Sequence, residues 1–385
     1  MNKMSKREYL IELRKKYHRV PKAIKTQLLN DFCQFTKYHR QYALALLNKP
    51  LAGLWKRYNN GARLKNKKYD DHVIEALLVL WRSVGEICAE RFQPYIPELL
   101  EVLQRQGEIV VSSLVKEKLL QISCGTVKRI LQKQKRVSLI KIGGTTKPGS
   151  LLKHQISIRY GRWKETTPGW CETDTVAHCG DTTAGEFIHS LNVIDISSGW
   201  SEQAAIMGKG ERACVAQIDN IRKRLPFPLL GLDPDNGSEF INWHLYRYCK
   251  KHHLTLTRSR PYHKNDNAHV EQKNYTAIRQ LVGYARLDTK EQLRIMNDLY
   301  SNEWRLYINF FQPTMKLKEK IKDNSIGKTT KRYYESKTPY QRIMEHQDVS
   351  KENKTVLQSQ YQQLNPVQLQ REINKKLELL KATLK

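Results

Sequence analysis

From Gly169 onward, three strand-like segments follow one another directly: GWCETDTVAHC, EFIHSLNVIDISSG and WSEQAAIM. Only then does the pattern begin to alternate. ERACVAQIDNIRKRL reads as an amphipathic helix and PFPLLGLD as a short, apolar, buried strand. INWHLYRYCKKHH reads as a helix, LTLTRSR as a strand, and NAHVEQKNYTAIRQLVGYA closes as a long helix. Three strands followed by strands alternating with helices predict a mixed sheet covered by helices, an α/β layer fold.

The flanks differ from this centre in charge. Residues 1–150 carry 30 Lys/Arg against 12 Asp/Glu (+18), residues 151–280 carry 17 against 14 (+3), and residues 281–385 carry 20 against 12 (+8). The chain's net +29 is therefore concentrated on two basic flanks around a nearly neutral middle. Basic surfaces of this size attract polyanions, and counterion release makes nucleic acid the default partner. No run of apolar residues is long enough for a membrane span, and the N-terminal MNKMSKREYLIELRKKYHRV lacks the apolar core of a signal peptide. Seven cysteines without a CxxC pair argue for reduced thiols in a cytosolic setting and against a zinc finger; Cys171 and Cys179 read as free thiols.

The first 136 residues are helical in period. Ile24, Leu28, Leu29 and Phe32 form one apolar stripe, and Thr36 is a candidate cap for a second helix with Ala43, Leu46 and Leu47 inward. A similar unit recurs at LVKEKLLQISCGTVKRILQKQKR, with Ser123 as cap and Val127, Ile130 and Leu131 as the buried face. Helix, short turn and basic second helix is the helix-turn-helix pattern. It nominates Lys37, His39 and Arg40 in the first unit and Lys128, Arg129 and Lys133 in the second as DNA contacts. Residues 137–164 read as a linker or arm. At the other end, MKLKEKIKDNSIGKTTKRYY is a basic run expected as a solvated or DNA-facing loop. Leu369, Ile373, Leu377 and Leu380 mark a terminal amphipathic helix, a candidate contact between chains or a packing element.

Within the middle, LDPDNGSEF sets three carboxylates in seven positions of a basic chain. Asn236-Gly237 explains a tight turn but not the acids. Asp174 lies in the first strand of the centre, Asp235 ends the buried fourth strand, and Glu271 stands near the start of the closing helix. Sixty residues separate the first pair and 35 the second. Three carboxylates brought together repel one another unless a hard divalent cation joins them, and oxygen-only ligands suit Mg²⁺ or Mn²⁺. Two such ions clamp the attacking and leaving oxygens of an in-line phosphoryl displacement.

With its D…D-x35-E spacing, its DNG-x-E-F block at Asp235–Phe240 and YHKNDNAHVEQKN at Tyr262–Asn274, the chain resembles the DDE integrase/transposase superfamily, in particular bacterial insertion-sequence transposases with a retroviral-integrase-type core. The resemblance covers about residues 165–315. It implies an RNase H-like mixed-sheet catalytic core, preceded by an all-α helix-turn-helix region (1–136) and followed by a small basic C-terminal region (316–385). It also implies catalytic and metal-binding roles for Asp174, Asp235 and Glu271, two Mg²⁺ or Mn²⁺ ions, and strand transfer by a DNA 3′-hydroxyl. It selects Asp235 over Asp233, which becomes a supporting strand-end residue, and makes Glu239 a structural acid near a helix start. His263, Lys264 and Lys273 are expected on the DNA substrate. Tyr275 stands one turn after Glu271, where retroviral members often have a lysine, and their His/His/Cys/Cys zinc domain is not matched. Asp195 is expected in a structural salt bridge. The expected partners are double-stranded transposon ends and target DNA, bound by a homo-oligomer in the cytoplasm at the nucleoid. The rival readings are a catalytically silent, domesticated DNA-binding regulator and an RNase H-like nuclease.

Overall fold

A computed structural model describes residues 3–48, 69–132, 134, 157–158, 167–234, 237, 239–258, 273–323 and 328–384. The chain divides into two compact units, Met1–Lys68 and Tyr69–Lys385. In the first, α1 (Lys3–Tyr17), α2 (Lys22–Thr36) and α3 (Arg40–Asn48) enclose Leu10, Leu13, Tyr17, Leu29, Phe32, Ala43 and Leu47. Lys37 ends α2 in the left-handed region at φ 60°, its N–H returning to the Cys33 carbonyl. Lys6 Nζ donates to the Thr36 carbonyl and Arg14 to that of Leu46, so α1 supplies cations to the carbonyl ends of both partners. Two expectations change here. Ile24 is exposed, because α2 buries its stripe from Leu29 to Phe32 instead. The Thr36 hydroxyl donates back to Phe32 O at 2.5 Å and does not cap α3, which starts four residues later at Arg40.

The second unit opens with α4 (Asp71–Ser83), α5 (Ala89–Phe92), α6 (Ile96–Arg105), α7 (Ser113–Leu120) and α8 (Cys124–Gln132). Side chains of Asp70, Ser112 and Ser123 accept N–H groups at the starts of α4, α7 and α8. Val127 and Leu131 join Leu77, Trp81, Phe92, Leu99 and Leu119 in one core, with Ile130 packed against it.

The sheet follows: β1 (Ser157–Ile158), β2 (Trp170–Ala177), β3 (Ile188–Asp195), β4 (Ser201–Met207), β5 (Gly231–Pro234) and β6 (Thr255–Arg258), in the order β1-β6-β5-β2-β3-β4. The directly joined strands β2, β3 and β4 pair antiparallel. After α9 (Glu211–Arg224) and α10 (Trp243–Lys251) the strands return parallel, β5 beside β2 and β6 beside β5. This is the mixed α/β sheet expected. One sheet face packs Cys171, Leu191, Val193 and Leu232 against Cys214, Ile218 and Leu245 of α9 and α10. The other packs Val176, Ile188 and Ala205 against four further segments. These are α11 (π-wound Asn274–Arg279 running into Gln280–Val282), α12 (Lys290–Leu299), a π-wound turn Tyr300–Trp304 and α13 (Arg305–Phe310).

The outer edge of β4 is closed by side chains. Asn309 and Asn297 each give one amide group to both the N–H and C=O of Ser201 and Ala205, at 2.8–2.9 Å, and Arg224 donates to the Gln203 carbonyl at 3.0 Å. An edge with its backbone groups taken up resists pairing with another strand. Buried Glu202 joins this closure, paired with both Arg224 and Arg305.

The C-terminal segment corrects one expectation and decides another. The basic run is not a loop but an antiparallel ribbon, β7 (Leu317–Asp323) and β8 (Lys328–Tyr333). α14 (Pro339–Glu345), α15 (Lys351–Gln363) and α16 (Pro366–Ala382) follow. Leu369, Ile373 and Leu380 of α16 are buried in the core with α12 and α13, so the apolar stripe is consumed within the chain. Among the described residues no helix is long and apolar enough to cross a membrane. All seven cysteines are free thiols.

Candidate active site

Asp174 stands at mid-strand in β2, half-buried, on the face covered by α11. Its cross-strand neighbours are set by register: Asn192 on β3, and beyond it Gln203 on β4. The three form a polar row across strands that are otherwise mostly apolar. Asn274 of α11 donates its Nδ2 to Asp174 Oδ2 at 2.6 Å and accepts on Oδ1 from Asn192 Nδ2 at 2.9 Å. Gln203 Nε2 donates to Asn192 Oδ1 at 3.0 Å. The carboxylate dictates the direction of the whole row. An ionised Asp174 only accepts, so Asn274 must donate to it; its carbonyl then faces Asn192, whose own carbonyl faces Gln203. The row ends on Gln203 Oε1, a buried acceptor without a hydrogen bond. The other Asp174 oxygen accepts the Thr175 N–H at 2.7 Å. The Asn274 amide and the Thr175 N–H together fix the orientation of the carboxylate.

α11 is pinned to β2 at a second point, where Arg279 donates to the Ala177 carbonyl at 2.7 Å. One residue beyond, His178 Nε2 meets Ser190 Oγ at 2.7 Å, and Ser190 meets Tyr300 OH at 2.8 Å, all three buried. Burial, with Arg279 nearby, pushes the His178 imidazole down to about 3. His189 is likewise held down at about 4 by burial and by Lys209. Both are neutral at physiological pH.

Asp235 and Glu271 lie outside the described residues, as do Lys133, His263, Lys264 and most of the 137–164 arm. Their described neighbours are informative. Pro234, immediately before Asp235, pairs with Thr173, the residue before Asp174. Lys273 and Asn274, two and three residues after Glu271, begin the helix that reaches Asp174. Asp233 is fully buried, accepting the Thr257 hydroxyl at 2.6 Å. Glu239 is buried on the opposite sheet face, where it accepts Thr175 Oγ1 at 2.7 Å and pairs with Lys209 at 3.0 Å. Burial alone would raise its carboxyl, but the Thr175 hydroxyl, its own backbone N–H and Lys209 outweigh it and hold it below the usual range. Glu239 therefore ties the chain just after Asn236-Gly237 to the strand of Asp174. Asp195 makes hydrogen bonds in place of the expected salt bridge. It accepts from Gly169 N and from Ser198 N and Oγ at 2.6–2.7 Å, closing the β3–β4 turn.

Of the nominated DNA contacts, Lys37, His39 and Arg40 are exposed at the α2–α3 turn, Arg40 bonded to Asn30. Lys128 and Arg129 are exposed on α8. Lys128 pairs with Glu90 at 3.1 Å, and Arg129 bonds Thr126 Oγ1 within its own helix. Lys273 differs: it is 7% exposed, and burial beside Arg342 and Arg91 pushes its ammonium down to about 7. Asn192, Gln203 and the tie between Glu239 and Thr175 were missed by sequence reasoning. Their signal was present as polar residues inside segments read as strands of the sheet. Among the described residues no three His, Cys, Asp or Glu are grouped to hold a metal.

No family model matches the chain. The uncharacterised protein y4rM of Sinorhizobium fredii (strain NBRC 101917 / NGR234) is 34% identical over 344 residues, covering 88% of this chain and 95% of that protein. The chain belongs to the y4rM family. Among solved structures, the catalytic core domain of BIV integrase aligns with a TM-score of 0.31 and 16% identity, over 45% of this chain and 91% of that one.

Proposed function

We propose that this member of the y4rM family is a metal-dependent polynucleotidyl transferase of the DDE type, a transposase that binds the ends of a mobile DNA element and cuts and joins them on an RNase H-like core. The carrying observation is the meeting at β2. Asp174 is oriented there by an uncharged amide row, beside the described residues that precede Asp235 and follow Glu271. A carboxylate oriented at mid-strand by the amide of Asn274 is the kind of oxygen donor a hard divalent cation takes. In this reading Asp174, Asp235 and Glu271 hold two Mg²⁺ or Mn²⁺ ions. Such ions supply Lewis-acid activation of a water or 3′-hydroxyl and stabilise the departing 3′-oxygen.

The chain's own residues supply position and charge. The Asn274–Asn192–Gln203 row keeps the Asp174 carboxylate in one orientation. Glu239, through Thr175 and Lys209, fixes the exit of the Asp235 segment. Exposed Lys37, His39, Arg40, Lys128 and Arg129 engage backbone phosphates, and Lys133, His263 and Lys264 have the same role in the segments beyond. Joining two ends to one target needs two such sites, so the working species on DNA holds at least two chains.

The test is a cleavage assay on duplexes carrying the sequences that flank the coding region. Asp174→Asn is expected to lose cleavage in Mg²⁺ and Mn²⁺ and to keep duplex binding. A wild-type chain that binds duplex but never cuts it would instead be a regulator. One that cuts RNA–DNA hybrid in preference to duplex would be a nuclease.

A further inference from the structure

The β7–β8 ribbon is rooted in the body and then leaves it. At its base, Thr314 and Lys337 exchange both backbone hydrogen bonds, at 2.9 and 3.1 Å, and Tyr334 N donates to Lys316 O at 2.9 Å. Lys316 Nζ is fixed to the Ile196 and Ser197 carbonyls of the β3–β4 turn, and Arg342 holds Thr314 and Ser198. Arg342 also lies near buried Lys273, so the root adjoins the start of α11. Above the root, Leu317, Lys318, Lys320, Ile321, Lys331, Arg332 and Tyr333 are all exposed.

Register splits this ribbon into two unlike faces. Glu319 pairs across from Arg332 and closes an ion pair at 3.0 Å, and Ile321 lies across from Thr330. Lys320 pairs directly across from Lys331. Cross-strand partners share a face and successive pairs alternate, so the two lysines oppose each other on the face that Glu319 and Arg332 do not use. Like charges placed directly opposite destabilise a two-stranded ribbon. One face is therefore neutralised internally, while the other holds two facing, exposed ammonium groups with no acid or hydrogen-bond acceptor beside them among the described residues, a repulsion that an outside anion would relieve. A two-stranded ribbon is also narrow enough to enter the major groove of a duplex.

We propose that the β7–β8 ribbon is a DNA-binding element that sets Lys320 and Lys331 against the phosphates of double-stranded DNA. The proposal rests on the reading of the chain as a DNA-binding transposase. Because that face is self-repelling, the two lysines trade stability for binding, and a merely structural role would reverse this sign.

The experiment uses the full chain and a short duplex, with binding followed by fluorescence anisotropy over a range of salt concentrations. Each phosphate contact contributes about 0.9 to the slope of log K against log salt. Lys320→Gln/Lys331→Gln is expected to flatten that slope by about 2, without lowering the melting temperature. Arg332→Gln, on the paired face, should leave the slope unchanged. An unaltered slope in the double variant, a fall in its melting temperature, or an equal effect from Arg332→Gln overturns the assignment. So does a loss confined to vesicles of phosphatidylcholine and phosphatidylserine with duplex binding intact, which would make the ribbon a membrane contact. A wild-type chain that fails to bind duplex at all defeats the transposase reading as well. A wild type that binds steeply and a double variant that matches it defeat the ribbon alone.

Discussion

In β2–β4, Asp174, Asn192 and Gln203 lie side by side across three antiparallel strands and are joined through amides into one directed row. In β7–β8, Lys320 and Lys331 lie side by side across two antiparallel strands, like charges with no partner among the described residues. The geometry of pairing is the same and the environment is opposite. Inside, a polar group without a partner costs about 1–3 kcal/mol, so such groups must be matched within the chain, and the matching yields a fixed direction for one carboxylate. Outside, water and salt make an unmatched charge tolerable, so it can remain available to something else. Polar residues that have found partners orient one another, and like charges facing each other in solvent keep their charge toward the outside.

The strongest way to break this comparison is at Asp174. Asp174→Asn should reduce strand cleavage on the order of 10⁴-fold, as expected when one member of a unit that acts together is lost. A melting temperature within a few degrees of wild type would show that the effect is chemical.

Next in size is the closure of the interior edge. Glu202→Gln leaves Arg224 and Arg305 without their buried counter-charge and should cost about 3–5 kcal/mol in chemical denaturation. A loss under 1 kcal/mol would place the pair among surface bridges and weaken the contrast between inside and outside.

Acid should attack the same region. His178 and His189 are depressed in the folded chain, to about 3 and about 4, against about 6.5 when unfolded. Above the unfolded value both states are neutral and nothing is lost. As pH falls through it, the unfolded chain takes up protons the folded chain refuses, and stability drops by up to about 1.4 kcal/mol per pH unit for each histidine. Denaturant midpoints between neutral pH and about pH 5 should fall, and His178→Gln should flatten that fall. An identical slope in the variant would mean that His178 is not kept neutral by its setting.

Smaller still is the row itself. Asn192→Leu strands the Oδ1 of Asn274 and leaves Gln203 Nε2 with Ser201 Oγ alone, for about 1–3 kcal/mol, and should lower cleavage about 10–100-fold through the less firmly held Asn274 and Asp174. Gln203→Met removes the unpaired acceptor but leaves Asn192 Oδ1 without its donor, for about 1–3 kcal/mol, and because Asn274 and Asn192 still hold Asp174 it should lower cleavage less than Asn192→Leu. If the two variants lowered cleavage equally, the order assigned to the row would be wrong.

Several features of the molecule were legible in the order of residues. Runs of period two followed by alternation with period 3.6 specify a mixed sheet between helices, because burial of one face or stripe is a local demand on composition. The Ser123 cap and the acid in the first central strand could be read for the same local reason, and so could the excess of positive charge on the flanks. The terminal stripe of Leu369, Ile373 and Leu380 announced that a face would be buried, but not whether the chain's own body would cover it. Thr36 looked like a cap because its spacing allows one, and only the fold shows its hydroxyl turned back along α2.

Everything that depends on which strand lies beside which was decided by tertiary structure. Residues 174, 192 and 203 become neighbours through two registers, and a slip of one residue would turn Asn192 to the other face and leave Asp174 beside an apolar side chain. The ribbon obeys the same rule. Its lysines and acids intermingle along the sequence, and pairing alone sorts them into a neutral face and a charged one. Composition determines how many polar groups a strand carries. Register, set by the packing of the whole sheet, determines which of them have partners inside the chain and which face outward without one.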